Sequence, residues 1–240
     1  MGLGDAKPAA DHLDESRLDN ITDTALELFH AAYDTDLTKD DVYFYVYGIL
    51  HCSDYRRTYA ADLKKLLPRI PLVDDPRPFI EAGKELSELH LGYESADPYP
   101  LDGLDTRPTG DPYDFFAVQK MAFAKKRNPE TKKLEADRST VIYTSNITLS
   151  GIPEDTYRYM LGSRSAIEWI IDRYQVKTDK TSGNVNDPND WSKGVGDPRY
   201  IIDLLARIVT VSLRTMQIVD GLPTLAIRDD QASAVAVAST

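Results

Sequence analysis

The sequence predicts an α+β fold, with an N-terminal helical half, a small antiparallel β-sheet and C-terminal helices. Three observations carry that prediction. Up to about residue 95 apolar side chains recur at helical spacing. Between residues 113 and 150 short β-favouring runs flank a lysine-rich connection, and beyond Pro198 helical spacing returns as far as Val219.

Taken in order, "NITDTALELFHAAY" spaces Ile21, Ala25, Leu28 and Phe29 as a helix does. "TKDDVYFYVYGILHC" opens on Thr38 with Asp41 three residues later, a capping-box signature that puts acids in the first turn. Ser53 is expected to cap a third helix running unbroken through Tyr55, Tyr59, Leu63, Leu66 and Leu67, which the two prolines of "LPRIP" stop. Asp75-Pro76 begins a fourth helix through Phe79, Leu86 and Leu89, with proline at its start. Residues 96–112, rich in proline and glycine, read as a linker or surface loop. "YDFFAVQKMAFAKK" and "STVIYTSNITL" read as strands joined through the hairpin "KKRNPETKKLEADR". "PEDTYRYMLGSRSAIEWIIDRYQV" is expected to be helical with a break at Gly162, and "TSGNVNDPNDWSKGVGDP" to be a turn-rich loop. A long helix starts near Pro198 and stops at Gly221-Leu222-Pro223. The expected organisation is a polar, disordered leader over 1–19, a helical subdomain over 20–95, the linker 96–112, an α+β recognition subdomain over 113–223 and a frayed tail over 224–240.

Composition narrows the function classes. The 240 residues are 42% hydrophobic, enough for a core, and carry a formal net charge of −11. The charge is uneven: residues 1–119 hold 11 Lys and Arg against 24 Asp and Glu, whereas residues 120–240 hold 17 against 15. Within Lys120–Arg138 seven bases meet three acids. An acidic chain is a poor nonspecific binder of nucleic acid, because phosphate attraction supplies most of that affinity; a local basic surface on a tethered domain remains compatible with it. No apolar run reaches the roughly 18 residues of a membrane span, and the N-terminus lacks the apolar centre of a signal peptide. A single cysteine, Cys52, leaves no internal disulfide and fits a reducing, cytoplasmic compartment.

Motifs for chemistry are absent. His12, His30, His51 and His90 are scattered along the chain with too few cysteines for a recognisable metal motif. His51 and Cys52 are sequence neighbours, whose side chains point apart on a helix, so a helix-end histidine beside a buried thiol is the expectation. "GVG" at 194–196 lacks the rest of a dinucleotide fingerprint, and "GSRSA" at 162–166 lacks the flanking glycines of a nucleophile elbow. "NDPN" at 186–189 lacks the second proline and the aromatic of an amino-methyltransferase motif, leaving an Asp-Pro-Asn turn. No catalytic residue, metal or cofactor is expected.

Several blocks together, "NITDTALELF", "YVYGILHCSDYRRTYAADLKKLLPRIPLV", "FIEAGKELSELHLGYE", "ITLSGIPEDTYRYMLGSRSAIEWIIDRYQVKTDKTSG" and "NDPNDW", resemble the C-terminal specificity domain of type ISP restriction–modification enzymes. The likeness runs from about Asn20 to Pro223, and the order and spacing of the blocks make it specific. In that family one polypeptide carries a nuclease, an ATP-driven translocase, a coupling region, an adenine methyltransferase and finally this domain. The resemblance therefore implies a non-catalytic domain that reads a short asymmetric sequence in double-stranded DNA. Its other partners would be the methyltransferase and coupling modules of the same polypeptide, and the chain an excised fragment or a truncated form.

Candidate contacts follow from residue chemistry. Arg56, Arg57 and Lys64 lie beside the Tyr55–Tyr59–Leu63 face and are read as phosphate contacts, as a docking edge for an acidic module, or as a solvated helix edge. Lys125, Lys126 and Arg127 are placed at the hairpin tip, with Arg138 after it, and read as phosphate contacts or a solvated hairpin. Tyr143, Asn146, Ser163 and Arg164 are read as base-edge candidates, because Arg bridges guanine and Asn bridges adenine through two hydrogen bonds. Against that, Asn146 is equally suited to a turn and Arg164 to pairing with Glu168 one turn on. Trp169 is expected in the core. Two rivals stay open: a module that docks on neighbouring domains without touching DNA, and an enzyme with an acid–base site among the 39 carboxylates.

Overall fold

The structure, a computed structural model, describes residues 20–33, 35–66, 68–228 and 235–236. The expected leader and the end of the expected tail lie outside the described residues. The chain divides into two compact units, residues 1–43 and 44–240.

In the first unit, α1 (Asp23–Ala32) starts at Thr22, whose side chain accepts from the Ala25 N–H. The expected capping box forms at the start of α2 (Lys39–His51): the Asp41 carboxylate accepts from the Thr38 N–H at 2.8 Å and Thr38 Oγ1 accepts from the Asp41 N–H at 3.2 Å. Two of the orphan donors that every helix start leaves are thereby satisfied.

The second unit takes up α2 from Phe44 onward. There α2 crosses α5 (Arg77–Leu91) at two glycines, Gly48 and Gly83. A Cβ on Gly83 would lie 1.8 Å from the Phe44 carbonyl oxygen, and one on Gly48 would lie 2.1 Å from that of Phe79. Only glycine permits backbones that close. The stretch expected as one third helix is two short ones, α3 (Ser53–Thr58) and α4 (Ala60–Leu63). Tyr59 leaves helical geometry at φ −103, ψ 21, and its carbonyl accepts from both Asp62 and Leu63, a tightened turn that moves the axis. Tyr55 is buried, its hydroxyl donating to the Arg69 carbonyl in β1 (Arg69–Ile70); this tertiary anchor overrides the local helical pattern.

Further along, Asp111 caps α6 (Pro112–Phe116), so the first expected strand starts later than its β-favouring composition suggests. The sheet is three-stranded and antiparallel, in the order β2 (Ala122–Arg127), β3 (Leu134–Ile142), β4 (Thr148–Ser150). Val141 pairs with Leu149, and both are buried against Ile147, Ile167 and Val209. Where a single broken helix was expected, the chain makes a 3-10 turn over Glu154–Arg158 and a hairpin of β5 (Met160–Leu161) and β6 (Arg164–Ser165); only α7 (Ala166–Arg173) is α-helical. Ser165 decides this. It forms a capping box with Glu168, which fixes a helix start there, and Gly162 at φ 69 closes the hairpin behind it.

The expected loop after residue 176 contains a hairpin of β7 (Lys177–Thr178) and β8 (Val185–Asn186), then α8 (Asn189–Gly194). Asn189 exchanges two 2.8 Å hydrogen bonds with the backbone of Val118, so "NDPN" is a structural clasp. The last helix, α9 (Tyr200–Asp220), ends at Gly221 as expected and is buried along most of its length among α5, α7 and the 3-10 turn. Finally, β9 (Val235–Ala236) pairs antiparallel with β1. No helix among the described residues is long and apolar enough to cross a membrane.

Candidate nucleic-acid interface

Strand alternation distributes the hairpin bases. Lys125, Lys126 and Arg127 lie within β2, opposite Ala136, Glu135 and Leu134, rather than at its tip; the tip is built by Asn128, whose side chain accepts from the Glu130 and Thr131 N–H groups. All three bases are exposed, but successive residues face opposite sides. Of the three, Lys126 alone lines a cavity of about 420 Å³, together with Arg138, Ser139, Tyr157, Glu154 and Arg158. Arg127 donates instead to the Lys132 carbonyl at 3.3 Å.

A second cavity, of about 250 Å³, lies between the start of α3, the segment Arg158–Met160 and the end of α9. His51, Ser53, Arg56, Arg158 and Tyr159 contribute to its wall. Arg158 lines both cavities. Lys126, Arg138, Arg158 and Arg56 therefore follow one another along two concavities that share a wall, joining the two basic stretches that are far apart in sequence. Arg57 and Lys64 are exposed outside these cavities, and Arg57 pairs with Asp54 at 2.6 Å.

Each base along the cavities but one has a carboxylate partner. Lys126 meets Asp137 at 3.4 Å, Arg138 meets Glu168, and Arg158 grips Asp220 through two bonds of 2.9 and 2.6 Å. These acids are held ionised. The hydrogen bonds from Ser139 hold Asp137 below the usual carboxylate range, and Arg158 does the same for Asp220. Burial pushes Glu168 up, but the Ser165 N–H and hydroxyl and the Arg138 guanidinium outweigh it and hold it low. Arg56 is the exception: it is exposed and has no carboxylate partner among the described residues.

The base-edge candidates separate. Tyr143 is a correction: it is fully buried, its hydroxyl donating to the Phe116 carbonyl at 2.9 Å, so it faces the core and cannot reach a groove. Asn146 is exposed in the turn between β3 and β4, where its N–H donates to Thr144 Oγ1. Ser163 is exposed in the β5–β6 turn and Arg164 follows it. Arg164 pairs with Asp172 at 3.1 Å, not with Glu168, because Arg138 and Ser165 already occupy that carboxylate. Trp169 is also corrected, since it is only partly buried. Its ring carries the Arg164 and Arg173 guanidiniums at 5.2 and 5.1 Å, and its Nε1–H donates to the Leu161 carbonyl.

Sequence reasoning missed Arg158, Arg173 and the meeting of two histidines. His51 and His90, scattered along the chain, meet with ring centroids 5.4 Å apart and planes tilted by 43°, and His90 is bonded to Tyr47 and Thr215 at 2.8 Å each. Burial, then the neighbouring His51, pushes His90 down to about 4. Among the described residues no group of three or more His, Cys, Asp or Glu side chains has the arrangement of a metal site.

Comparisons with known proteins give a consistent result. The family model "Type ISP C-terminal specificity domain" matches residues 5–204. No curated protein matches. Among solved structures, the chain is similar to the ATP-dependent type ISP restriction–modification enzyme LlaBIII bound to DNA, with 38% identity over 84% of this chain and 12% of that one, and a TM-score of 0.68. It is also similar to a nuclease-deletion mutant of the type ISP enzyme LlaGI in complex with a DNA substrate mimic, with 44% identity over 81% of this chain and 17% of that one, at a TM-score of 0.65. The DrdV–DNA complex gives 36% identity over 86% of this chain and 20% of that one, at a TM-score of 0.67. The chain thus spans at most a fifth of the length of these structures.

Proposed function

The chain belongs to the type ISP C-terminal specificity domain family, and from that premise we propose that it reads a short asymmetric DNA sequence on behalf of a larger restriction–modification enzyme. The single observation that carries the proposal is the row of bases along two joined cavities, Lys126, Arg138, Arg158 and Arg56, in a chain whose net charge is −11. Bases concentrated on concave surfaces match a phosphate backbone, whereas a docking module without DNA has no need of them. Glu154 is the one carboxylate that lines either cavity, so neither has converging carboxylates, which weighs against an acid–base enzyme.

In this reading the bases along the cavities, with Arg57, Lys64, Lys125 and Arg127 beside them, position the domain on the backbone. Asn146, Ser163 and Arg164, exposed at turns of the 113–223 subdomain, meet base edges. The domain holds no catalytic group of its own, and methylation and ATP-dependent cleavage belong to the methyltransferase and translocase modules of the same polypeptide in the cytoplasm.

Fluorescence anisotropy with cognate and scrambled duplexes tests the proposal, on the chain alone and joined to its methyltransferase. Weak binding by the chain alone and sequence-selective binding by the joined protein are expected. Absence of binding by both at low salt overturns it.

A further inference from the structure

The geometry points to a seat for one backbone phosphate in the 250 Å³ cavity between Arg56 and Arg158, with Asp220 occupying the Arg158 guanidinium until DNA arrives. The inference rests on the DNA-recognition reading and adds to it a ligand group, a positioning residue and a displaceable partner.

Four observations converge. First, the cavity is the right scale: at about 30 Å³ per water it has room for roughly eight waters, enough for a tetrahedral oxyanion and its hydration. Second, its polar wall includes groups able to donate, the Arg56 and Arg158 guanidiniums and the Ser53 hydroxyl, beside His51, Tyr159 and Thr215. Third, the charges fit. Arg56 has no carboxylate partner among the described residues, and Arg158 is matched by Asp220, with Asp155 at 4.0 Å on its flank. Arg56 is thus left to supply the positive charge that a phosphodiester neutralises. Fourth, Arg158 also lines the larger cavity with Lys126 and Arg138, so a strand seated here continues directly past the β2–β3 hairpin.

Asp220 gives the seat its control. Its two bonds to Arg158 have the fork geometry that a phosphate would use, so carboxylate and phosphate compete for the same donors. Both residues are about half exposed, so the ion pair is cheap to exchange. The free domain is therefore self-screened at this point, and a duplex gains the contact only by displacing Asp220. That lowers attraction to arbitrary DNA, where every phosphate contact counts equally, and favours complexes in which base contacts add to the exchange.

The test measures duplex affinity against salt for the parent chain and for Arg56→Gln, Arg158→Gln and Asp220→Asn, with thermal unfolding confirming that each is folded. Arg56→Gln and Arg158→Gln are each expected to weaken cognate and scrambled duplexes alike and to shrink the slope of log affinity against log salt by about 0.9. Asp220→Asn is expected to strengthen binding to both duplexes. If the parent binds and the two arginine variants keep its slope, the seat is wrong while the DNA reading stands. Should only Arg158→Gln fail to fold, an unchanged slope for Arg56→Gln suffices to overturn the seat. A parent that binds no duplex at low salt, even with its methyltransferase attached, overturns both. Titration with inorganic phosphate separates the sources: saturation by free phosphate, with duplex slopes unaltered by the variants, means a small-anion site and not a backbone contact.

Discussion

Replacing Gly83 with alanine should destabilise the second unit by about 2 kcal/mol or more. The new Cβ would lie 1.8 Å from the Phe44 carbonyl oxygen, 2.7 Å from its carbon and 2.9 Å from the Gly48 nitrogen. A relaxed carbon–oxygen contact is roughly 3.3 Å, so α2 and α5 must part by roughly 1.5 Å. The obstacle is helical main chain, which cannot rotate aside as a side chain would. Overpacking costs typically about 1–3 kcal/mol, and this geometry belongs at the upper end. Against it, alanine is favoured over glycine within a helix by about 1 kcal/mol. At roughly 2–4 °C per kcal/mol for a domain of this size, the melting temperature should fall by about 4–8 °C. Gly194→Ala in α8 is the control: no atom lies within 4 Å of its new Cβ, so it should be neutral or mildly stabilising. Because both glycines serve one crossing, Gly48→Ala combined with Gly83→Ala should cost less than the two changes summed. Calorimetry reads the four variants against the parent. A Gly83→Ala protein that melts with the parent would refute the close approach of the two helices, and with it the placing of His51 and Arg56 at the cavity.

Other measurements test the site and the fold. Alanine at Lys125, Lys126 and Arg127 should weaken all duplexes alike and reduce the salt slope by about 0.9 for each base that meets a phosphate; since Lys126 alone lines the larger cavity, its single variant should account for a full unit of that loss. In the complete enzyme, Arg164→Ala or Asn146→Ala should relax methylation at one target position, a loss of roughly 1–3 kcal/mol of discrimination; an unaltered pattern at normal activity rejects that residue. His90, held down to about 4 against an ordinary 6.5 chiefly by burial, takes up its proton later in the folded than in the unfolded chain. Stability is thus full above pH 6.5 and falls between 6.5 and about 4, by about 1 kcal/mol once solvent screening of this partly exposed ring is allowed for. Denaturant titrations of His90→Gln should show a flatter profile in that window, with His51, shifted the same way, retaining part of the slope. Leu66, largely exposed at φ 57, should gain about 1 kcal/mol as glycine, read as a raised midpoint in urea.

What the sequence determined by itself was local. The Thr38–Asp41 box, the proline-led start of α5, the long α9 ending at Gly221 and the antiparallel hairpin with its bases were all legible, because periodicity and capping act within a few residues. The family blocks were legible too, since order and spacing survive without coordinates. Tertiary structure decided which partner each group took. Tyr143 carries the same alternation as an exposed strand residue, and only the packing of Phe116 and α9 against that face buries it. Sequence spacing offered Glu168 to Arg164, but the sheet brought Arg138 to it, leaving Arg164 to Asp172. Arg158 gave no local signal, being one base in a stretch that reads as helix. Its importance arises where a 3-10 turn, α3 and the end of α9 converge, bringing it near Arg56 and onto Asp220. Helix starts and strand alternation are set by short-range sterics and hydrogen bonds, whereas ion pairing and cavity walls depend on side chains that meet only after the chain has folded.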